Sequence, residues 1–207
     1  MTASASMTRA GAGMLPIRNG AFVAVVGPSG AGKDTLIAHA REKLAGDRQV
    51  EFVRRVITRP CDGQTEDHDT LHDAEFVAAM AVGAFALAWE AHGLRYGLPA
   101  SVDRAVGNGH VAVANVSRGA LPALRERYAN VAVVEVTADP EILASRLACR
   151  GRESRGEILA RLARTITCET TGEAIRLDNG GPKEIAGDEL VAIIRRVIAL
   201  ADPAGAV

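Results

Sequence analysis

The sequence contains no long hydrophobic run, no paired cysteines and no excess of charge of either sign. An Ala-rich stretch over residues 76–91 is interrupted by Gly83, so it falls short of the roughly 20 uninterrupted apolar residues of a membrane helix. Residues 1–20 include no apolar stretch long enough for a signal peptide, and we expect them to form a flexible tail. Nothing in the sequence predicts a segment that spans a bilayer.

The three cysteines, Cys61, Cys149 and Cys168, lie far apart and include no Cys-x-x-Cys pair. This spacing argues against a disulfide framework and a zinc site, and it favours a reducing compartment, so we expect a cytoplasmic protein. A net charge of −1 provides no general attraction to nucleic acid or to an anionic membrane. Anion binding must therefore depend on local clusters of basic residues, and small molecules are the expected partners.

Short runs rich in Val, Ile and Phe alternate with segments of helical periodicity. This alternation predicts an α/β fold in which a parallel sheet is flanked by helices. The predicted strands cover residues 22–26, 52–57, 85–90, 110–116, 131–137 and 174–177. One predicted helix begins near residue 33, and the others cover 73–82, 101–106, 118–128, 140–150, 156–167 and 182–200. The 207 residues, 48% of them hydrophobic, suffice for a single domain, which we expect over 21–201, followed by a short tail over 202–207.

A glycine-rich segment follows the first predicted strand. It reads Gly27-Pro28-Ser29-Gly30-Ala31-Gly32-Lys33-Asp34-Thr35. Glycines let the backbone turn so that several N–H groups face one point, and the following helix adds its positive N-terminal end, so the segment predicts a phosphate-binding loop (P-loop) of a P-loop NTPase fold that binds ATP. Lys33 supplies a mobile positive charge for the β- and γ-phosphates.

Asp34 departs from the P-loop pattern, which places a Ser or Thr hydroxyl after the lysine to bind Mg²⁺. A carboxylate beside the phosphates repels them unless a cation lies between, so we expect Asp34 to associate with Mg²⁺, directly or through water. The alternative is that Asp34 is only a favourable acidic residue in the first turn of a helix.

Arginines in two segments could bind further phosphate groups. Arg146 and Arg150 lie four residues apart on one predicted helix, and Arg152 follows it, so they could hold a transferring phosphoryl group, although pairing with nearby glutamates is an alternative. Arg59 follows a predicted strand, at the sheet edge that faces the ligand crevice of α/β folds. We predict an acceptor-binding region over 58–98 and a lid over 147–157.

Five motifs together resemble the guanylate-kinase branch of the P-loop nucleoside monophosphate kinases, from residue 22 to about residue 200. They are the segment 27–33, Thr58-Arg59-Pro60, Gly93-x-x-Tyr96-Gly97, Arg146-Leu147-x-x-Arg150-Gly151 and Glu157-Ile158-x-x-Arg161-Leu162. The resemblance implies a guanylate-kinase-like fold with an acceptor-binding arm and a lid.

The residues that guanylate kinases use to recognise guanine are replaced. Leu87 and Val116 stand where the family has the acidic residues that bind the guanine ring, and His68 stands where it has a tyrosine that holds the acceptor phosphate. Because an apolar side chain accepts no hydrogen bond, guanine would be buried with unpaired N–H groups, at about 1–3 kcal/mol each. Asn115, Ser117 and Arg118 suit sugar hydroxyls and phosphate better than a base.

A second set of features is similar to the ribose 1,5-bisphosphate phosphokinases of bacterial phosphonate metabolism. They are Gly32-Lys33-Asp34-Thr35, Ile57-Thr58-Arg59, Trp89, Asn115-Val116-Ser117-Arg118 with Leu121-Pro122, and Arg150-Gly151-Arg152-Glu153. This resemblance implies transfer of the ATP γ-phosphate to the 1-phosphate of ribose 1,5-bisphosphate, giving 5-phosphoribosyl 1-diphosphate (PRPP). It makes Asp34 a matching feature of the donor site.

The resemblance assigns roles to individual residues. The expected catalytic residues are Lys33, Arg59, Arg146, Arg150 and Arg152, and the expected acceptor-binding residues are Arg59, His68, Tyr96, Asn115, Ser117 and Arg118. ATP is the expected co-substrate, with Mg²⁺ near Asp34. Two alternatives remain: a guanylate kinase or related nucleoside monophosphate kinase, and a guanylate-kinase-like module that binds a partner without catalysis.

Overall fold

Two β-sheets organise the residues that the computed structural model describes, which are 15–59, 68–148 and 174–201. The strands are β1 (Ala21–Val26), β2 (Val50–Phe52), β3 (Arg55–Ile57), β4 (His68–Thr70), β5 (Phe85–Ala91), β6 (Leu94–Pro99), β7 (Val111–Asn115), β8 (Val131–Thr137) and β9 (Ile175–Asp178). The helices are α1 (Lys33–Lys43), α2 (Asp73–Ala81), α3 (Ser101–Gly107), α4 (Leu121–Arg127), α5 (Pro140–Ala148) and α6 (Lys183–Ala201). None of these helices is both long enough and apolar enough to cross a bilayer.

The first sheet has five strands in the order β2-β7-β1-β8-β9, and every neighbouring pair is parallel. Its central strand β1 is buried along its whole length, as expected for a parallel strand that is covered on both faces. Alternate residues of β1 face opposite sides because side chains alternate along a strand. Val23 and Val25 belong to a core shared with α1, α5 and α6, whereas Phe22 and Ala24 belong to a core shared with α3, α4 and the second sheet.

The second sheet has the order β4-β3-β6-β5 and was not predicted as a separate sheet. Strands β5 and β6 form an antiparallel hairpin in which His92 and Gly93 are the two loop residues, with φ values of 53° and 73°. Positive φ at both positions suits the right-handed twist of a hairpin. The prediction of one uninterrupted strand over 52–57 was wrong, because β2 pairs with β7 in the first sheet and β3 pairs with β6 in the second.

A buried group of polar side chains joins α3 to the end of α4, away from the P-loop. The Asp103 carboxylate accepts a hydrogen bond from Arg127 Nε at 2.8 Å and from the Tyr128 hydroxyl at 2.9 Å, and it also pairs with Arg127 Nη2. Burial raises the pKa of the Tyr128 hydroxyl above its ordinary value, and the nearby Asp103 carboxylate raises it further. Tyr128 also stacks on Phe22 of β1, with 5.3 Å between ring centroids.

Several sequence predictions fall outside the described residues. These are the first part of the tail, the helix predicted over 156–167, Arg150 and Arg152, and most of the predicted lid. The end of the predicted tail is described and has defined contacts, since Ile17 bridges to Tyr128 and the Asn19 side chain donates to Gly107 O at 2.8 Å. The predicted helices over 73–82, 101–106, 140–150 and 182–200 correspond to α2, α3, α5 and α6.

Candidate functional site

The glycine-rich segment forms the turn between β1 and α1, where a P-loop is expected. Gly27 has φ 143°, and a Cβ there would lie 2.2 Å from the carbonyl oxygen of Val136 on β8. Gly32 has φ 85°, and a Cβ there would lie 2.4 Å from Nδ2 of Asn179. Both positions therefore require glycine, for backbone conformation and for space. The loop lies where β1 ends, and the N-terminus of α1 follows it directly, which favours the binding of an anion.

Lys33 crosses back over the loop that precedes it. Its Nζ donates to Gly27 O at 2.9 Å and to Pro28 O at 3.0 Å. These two carbonyl oxygens hold the ammonium group close to the N-terminus of α1. The lysine is thus near the loop backbone that a triphosphate would contact.

Asp34 lies between two side chains from different sheets. Its Oδ1 accepts a hydrogen bond from Asn115 Nδ2 at 2.8 Å and is 3.5 Å from Nη2 of Arg55. Asn115 is the last residue of β7, and Arg55 is the first residue of β3. The Arg55 side chain is only 8% exposed, whereas that of Asp34 is 32% exposed. This arrangement ties the start of α1 to one strand of each sheet.

Arg55 was not predicted as a site residue. It lies in a strand, between Arg54 and Val56. The signal available in the sequence was a basic residue at a strand position where the pattern predicts a buried side chain. Its guanidinium lies 5.9 Å from the centre of the Tyr96 ring, close enough for a cation–π interaction. Arg55 therefore connects the carboxylate beside the P-loop with an aromatic side chain of β6.

Tyr96 and Trp89 continue this series of contacts. The two rings stack with 5.4 Å between centroids and an interplanar angle of 11°. The Trp89 indole Nε1 donates to Ser117 Oγ at 2.9 Å. Because Ser117 follows Asn115 by two residues, this series of contacts returns to the end of β7 and links the two sheets.

Two predicted arginines have distinct surroundings. Arg118 donates to Glu135 Oε1 of β8 at 2.7 Å, and its Nε is buried with no hydrogen-bond partner among the described residues. Arg146, on α5, is half-buried. Its Nη1 has no hydrogen-bond partner within the part of the chain that the structure describes. Buried donors without acceptors are costly in a folded protein, and an anionic ligand would satisfy them.

Arg59 and His68 lie at two strands of the second sheet, Arg59 just past the end of β3 and His68 on β4. Arg59 follows β3, as predicted, and its carbonyl oxygen accepts from Thr70 Oγ1 at 3.1 Å. His68 is the first residue of β4, and it is only 2% exposed. No strand was predicted over residues 68–70. The roles of Arg59 and His68 toward an acceptor stay predictions.

Asn179 was missed by the sequence analysis and lies against the P-loop. Its Nδ2 donates to the carbonyl oxygen of Ala31 at 2.7 Å, and the side chain occupies the space that Gly32 leaves open. Asn179 is 3% exposed and directly follows β9. A polar residue just after a strand of the parallel sheet was the available signal.

The described residues gather no three His, Cys, Asp or Glu side chains that could hold a metal on their own. A divalent cation at the P-loop would therefore need oxygen ligands from the nucleotide as well. Asp34 fits this role through its second carboxylate oxygen, because the contacts to Asn115 and Arg55 both involve Oδ1.

The positions expected to recognise a guanine base are buried in apolar surroundings. Leu87, Trp89 and Val116 are 4%, 4% and 2% exposed, and they belong to the same core. Since Leu and Val carry no hydrogen-bonding group, neither Leu87 nor Val116 could offer a polar partner to a base.

Comparisons with known proteins show which proteins this chain is similar to. No protein-family model matches the chain. The ribose 1,5-bisphosphate phosphokinase PhnN of Brucella melitensis is 53% identical over 163 residues, covering 78% of this chain and 85% of that protein. The protein of the same name from a Chelativorans species is 48% identical over 202 residues, covering 96% and 97%.

The crystal structure of guanylate kinase from Anaplasma phagocytophilum matches the fold with a TM-score of 0.63 and 20% sequence identity, covering 88% of both chains. The predicted α/β fold with a guanylate-kinase-like architecture is confirmed by this similarity. About half of the aligned residues are identical between this chain and these two relatives, and the alignments cover most of each relative. This similarity establishes the family. This chain belongs to the ribose 1,5-bisphosphate phosphokinase family.

Proposed function

We propose that this protein transfers the γ-phosphate of ATP to the 1-phosphate of ribose 1,5-bisphosphate, producing PRPP and ADP. The observation that carries the proposal is the combination of a P-loop that ends in Lys33 with buried apolar residues at the expected base positions. The P-loop and Lys33 suit a triphosphate donor, whereas Leu87 and Val116 offer nothing to a guanine edge. The names of the relatives support the same substrates.

The reaction needs no general base. An oxygen of the 1-phosphate, already ionised at neutral pH, attacks the γ-phosphorus, and the bond from that phosphorus to the oxygen bridging it to the β-phosphate breaks. ADP leaves with that bonding electron pair. Positioning and neutralisation of negative charge therefore account for catalysis.

On the donor side, the loop amides and Lys33 would hold the β- and γ-phosphates. Asp34 would hold Mg²⁺ together with phosphate oxygens, and the ion supplies charge neutralisation at the transferring group when bound. Asn115 and Arg55 keep the Asp34 carboxylate in place through its Oδ1. Asn179 would stabilise the loop through the hydrogen bond that it donates to Ala31 O.

On the acceptor side, we propose that Arg59, His68, Tyr96, Asn115, Ser117 and Arg118 bind the sugar bisphosphate. Arg146 would contact the transferring phosphoryl group, because its Nη1, which has no hydrogen-bond partner among the described residues, is a donor that an anion can satisfy. Arg150 and Arg152 are proposed to assist it, although they lie outside the described residues. We also propose a cytoplasmic location, in agreement with the unpaired pattern of cysteines.

The two alternatives make different predictions about these same residues. A guanylate kinase would need hydrogen-bond acceptors where Leu87 and Val116 lie, and both are buried among apolar neighbours. A module that only binds a partner would not need a lysine at the P-loop, yet Lys33 is bound to the loop carbonyls.

The proposal is tested by incubating the protein with ATP, Mg²⁺ and ribose 1,5-bisphosphate and following the products by ³¹P NMR. We expect the two diphosphate resonances of the sugar product to appear, with the product formed in equal amount to ADP. Lys33→Ala is the control, since it keeps the fold and removes the phosphate-binding charge. ATP hydrolysis without a sugar diphosphate would reject the proposal.

A further inference from the structure

Trp89 is the single tryptophan of the chain, and its indole nitrogen contacts Ser117, one of the proposed acceptor-binding residues. The side chain is 4% exposed, and its ring stacks on Tyr96. Its Nε1 lies 2.9 Å from Oγ of Ser117. An indole N–H can only donate a hydrogen bond, so the Ser117 oxygen must be the acceptor in this pair.

This contact determines what Ser117 can still do. A serine hydroxyl has one proton to donate and two lone pairs to accept with. The indole occupies one lone pair, and its fixed direction restricts how the hydroxyl can rotate. Among the described residues no acceptor takes the Ser117 proton, and the side chain is half-buried. Ser117 therefore presents a preset donor to whatever binds beside it.

The location of Ser117 identifies the ligand chemistry. Asn115, two residues earlier, holds the Asp34 carboxylate beside the P-loop. Arg118, the next residue, has a buried Nε that lacks a hydrogen-bond partner in the described part of the chain. Two consecutive residues, one with a hydroxyl donor and one with an unsatisfied guanidinium donor, suit a ligand that offers only acceptor oxygens. Phosphate oxygens meet this condition at neutral pH, whereas sugar hydroxyls both donate and accept.

We propose that Trp89 is a positioning residue that sets Ser117 as a hydrogen-bond donor to a phosphate group of the acceptor. This inference rests on the proposed function, because it names the sugar bisphosphate as the ligand. The stacking on Tyr96 fixes the plane of the indole, and the indole in turn fixes the serine oxygen. The specificity of the acceptor site for phosphate over hydroxyl thus depends on a residue that need not touch the substrate.

The fluorescence of the single tryptophan allows a direct test without catalysis. Titration of the wild-type protein with ribose 1,5-bisphosphate should change the emission of Trp89 and yield a dissociation constant. We expect Ser117→Ala to raise that constant by about tenfold, as for the loss of one hydrogen bond to a charged group, and Ser117→Thr, which keeps the hydroxyl, to restore most of the affinity. An unchanged constant in Ser117→Ala would overturn the inference.

Steady-state kinetics then isolate the contribution of the indole N–H. Trp89→Phe keeps an aromatic ring against Tyr96 and removes the donor, and we expect it to raise the KM for the sugar bisphosphate severalfold while leaving the KM for ATP unchanged. In the Ser117→Ala background the same change should have no further effect on the acceptor KM. An equal effect in both backgrounds would mean that Trp89 acts only through packing, and would overturn the inference.

Failure of this inference is distinguishable from failure of the proposed function. A wild-type protein that neither binds nor phosphorylates ribose 1,5-bisphosphate refutes the proposed function and the inference with it. A wild-type protein that forms PRPP, with an acceptor KM that does not respond to Ser117→Ala, refutes the inference alone. Even where Trp89→Phe is too unstable to assay, an unchanged acceptor affinity in Ser117→Ala refutes the inference.

Discussion

Asp34→Asn tests whether the unusual residue of the P-loop acts on the metal. The amide oxygen of asparagine can still accept the hydrogen bond that Asn115 donates at 2.8 Å, so the position of the side chain should be retained. What is lost is the negative charge beside the predicted metal position and 3.5 Å from Arg55 Nη2. The variant therefore separates the charge of Asp34 from its hydrogen bonding.

The expected loss of stability follows from the ion pair with Arg55. Two unit charges 3.5 Å apart attract with about 5 kcal/mol at an effective dielectric constant near 20. The partial exposure of Asp34 and the cost of burying the guanidinium reduce the net contribution to about 1–2 kcal/mol. Urea denaturation of Asp34→Asn should show a loss of stability of this size.

The expected effect on activity is larger and concerns Mg²⁺. Removing a carboxylate that holds the ion, directly or through water, should raise the Mg²⁺ concentration for half-maximal rate by about tenfold or more. Arg55→Met is the matched control, because it breaks the same ion pair but keeps the carboxylate. It should lose similar stability, while its Mg²⁺ requirement stays the same or falls. An unshifted Mg²⁺ titration in Asp34→Asn would show that Asp34 serves only the ion pair and the helix end.

Three further changes test other parts of the structure. Lys33→Ala should lower kcat by about a hundredfold or more with little change in Tm; near-wild-type turnover would contradict the phosphate role. Asn179→Ala should raise the KM for ATP about threefold to tenfold through loss of the bond to the P-loop, with the acceptor KM unchanged; equal effects on both substrates would argue against loop positioning. Tyr128→Phe should cost about 1 kcal/mol at neutral pH. Since the folded-state pKa of Tyr128 is raised, only the wild type should lose additional stability above about pH 10, by up to about 1.4 kcal/mol per pH unit relative to the variant; parallel pH profiles would refute this assignment.

Those parts of the fold that depend on local sequence could be predicted. The P-loop was evident because its glycines, its lysine and the preceding strand are contiguous, and each requirement acts within a few residues. The long helix α6 was predicted from its periodic apolar residues. The second sheet was less accessible, because β3 and β4 are each only three residues long, too short for an alternating pattern to be recognised.

The contacts that build the site could not be predicted, because they join distant parts of the chain. Arg55 and Asp34 lie 21 residues apart, Trp89 and Ser117 lie 28 apart, and Asn179 reaches across 148 residues to Ala31. Only the folded topology brings these partners together. The sequence identified Asn115, Ser117 and Tyr96 as candidate residues, but not the polar partners that orient them.

The choice of acceptor is the central claim, and one competition assay tests it most directly. The protein is supplied with Mg·ATP and equal concentrations of ribose 1,5-bisphosphate and GMP, and the initial rates of PRPP and GDP formation are measured in the same vessel. Because Leu87 and Val116 leave the guanine N–H groups without partners, at about 1–3 kcal/mol each, PRPP should form at least about tenfold faster than GDP. Formation of GDP with no PRPP would contradict the proposed function.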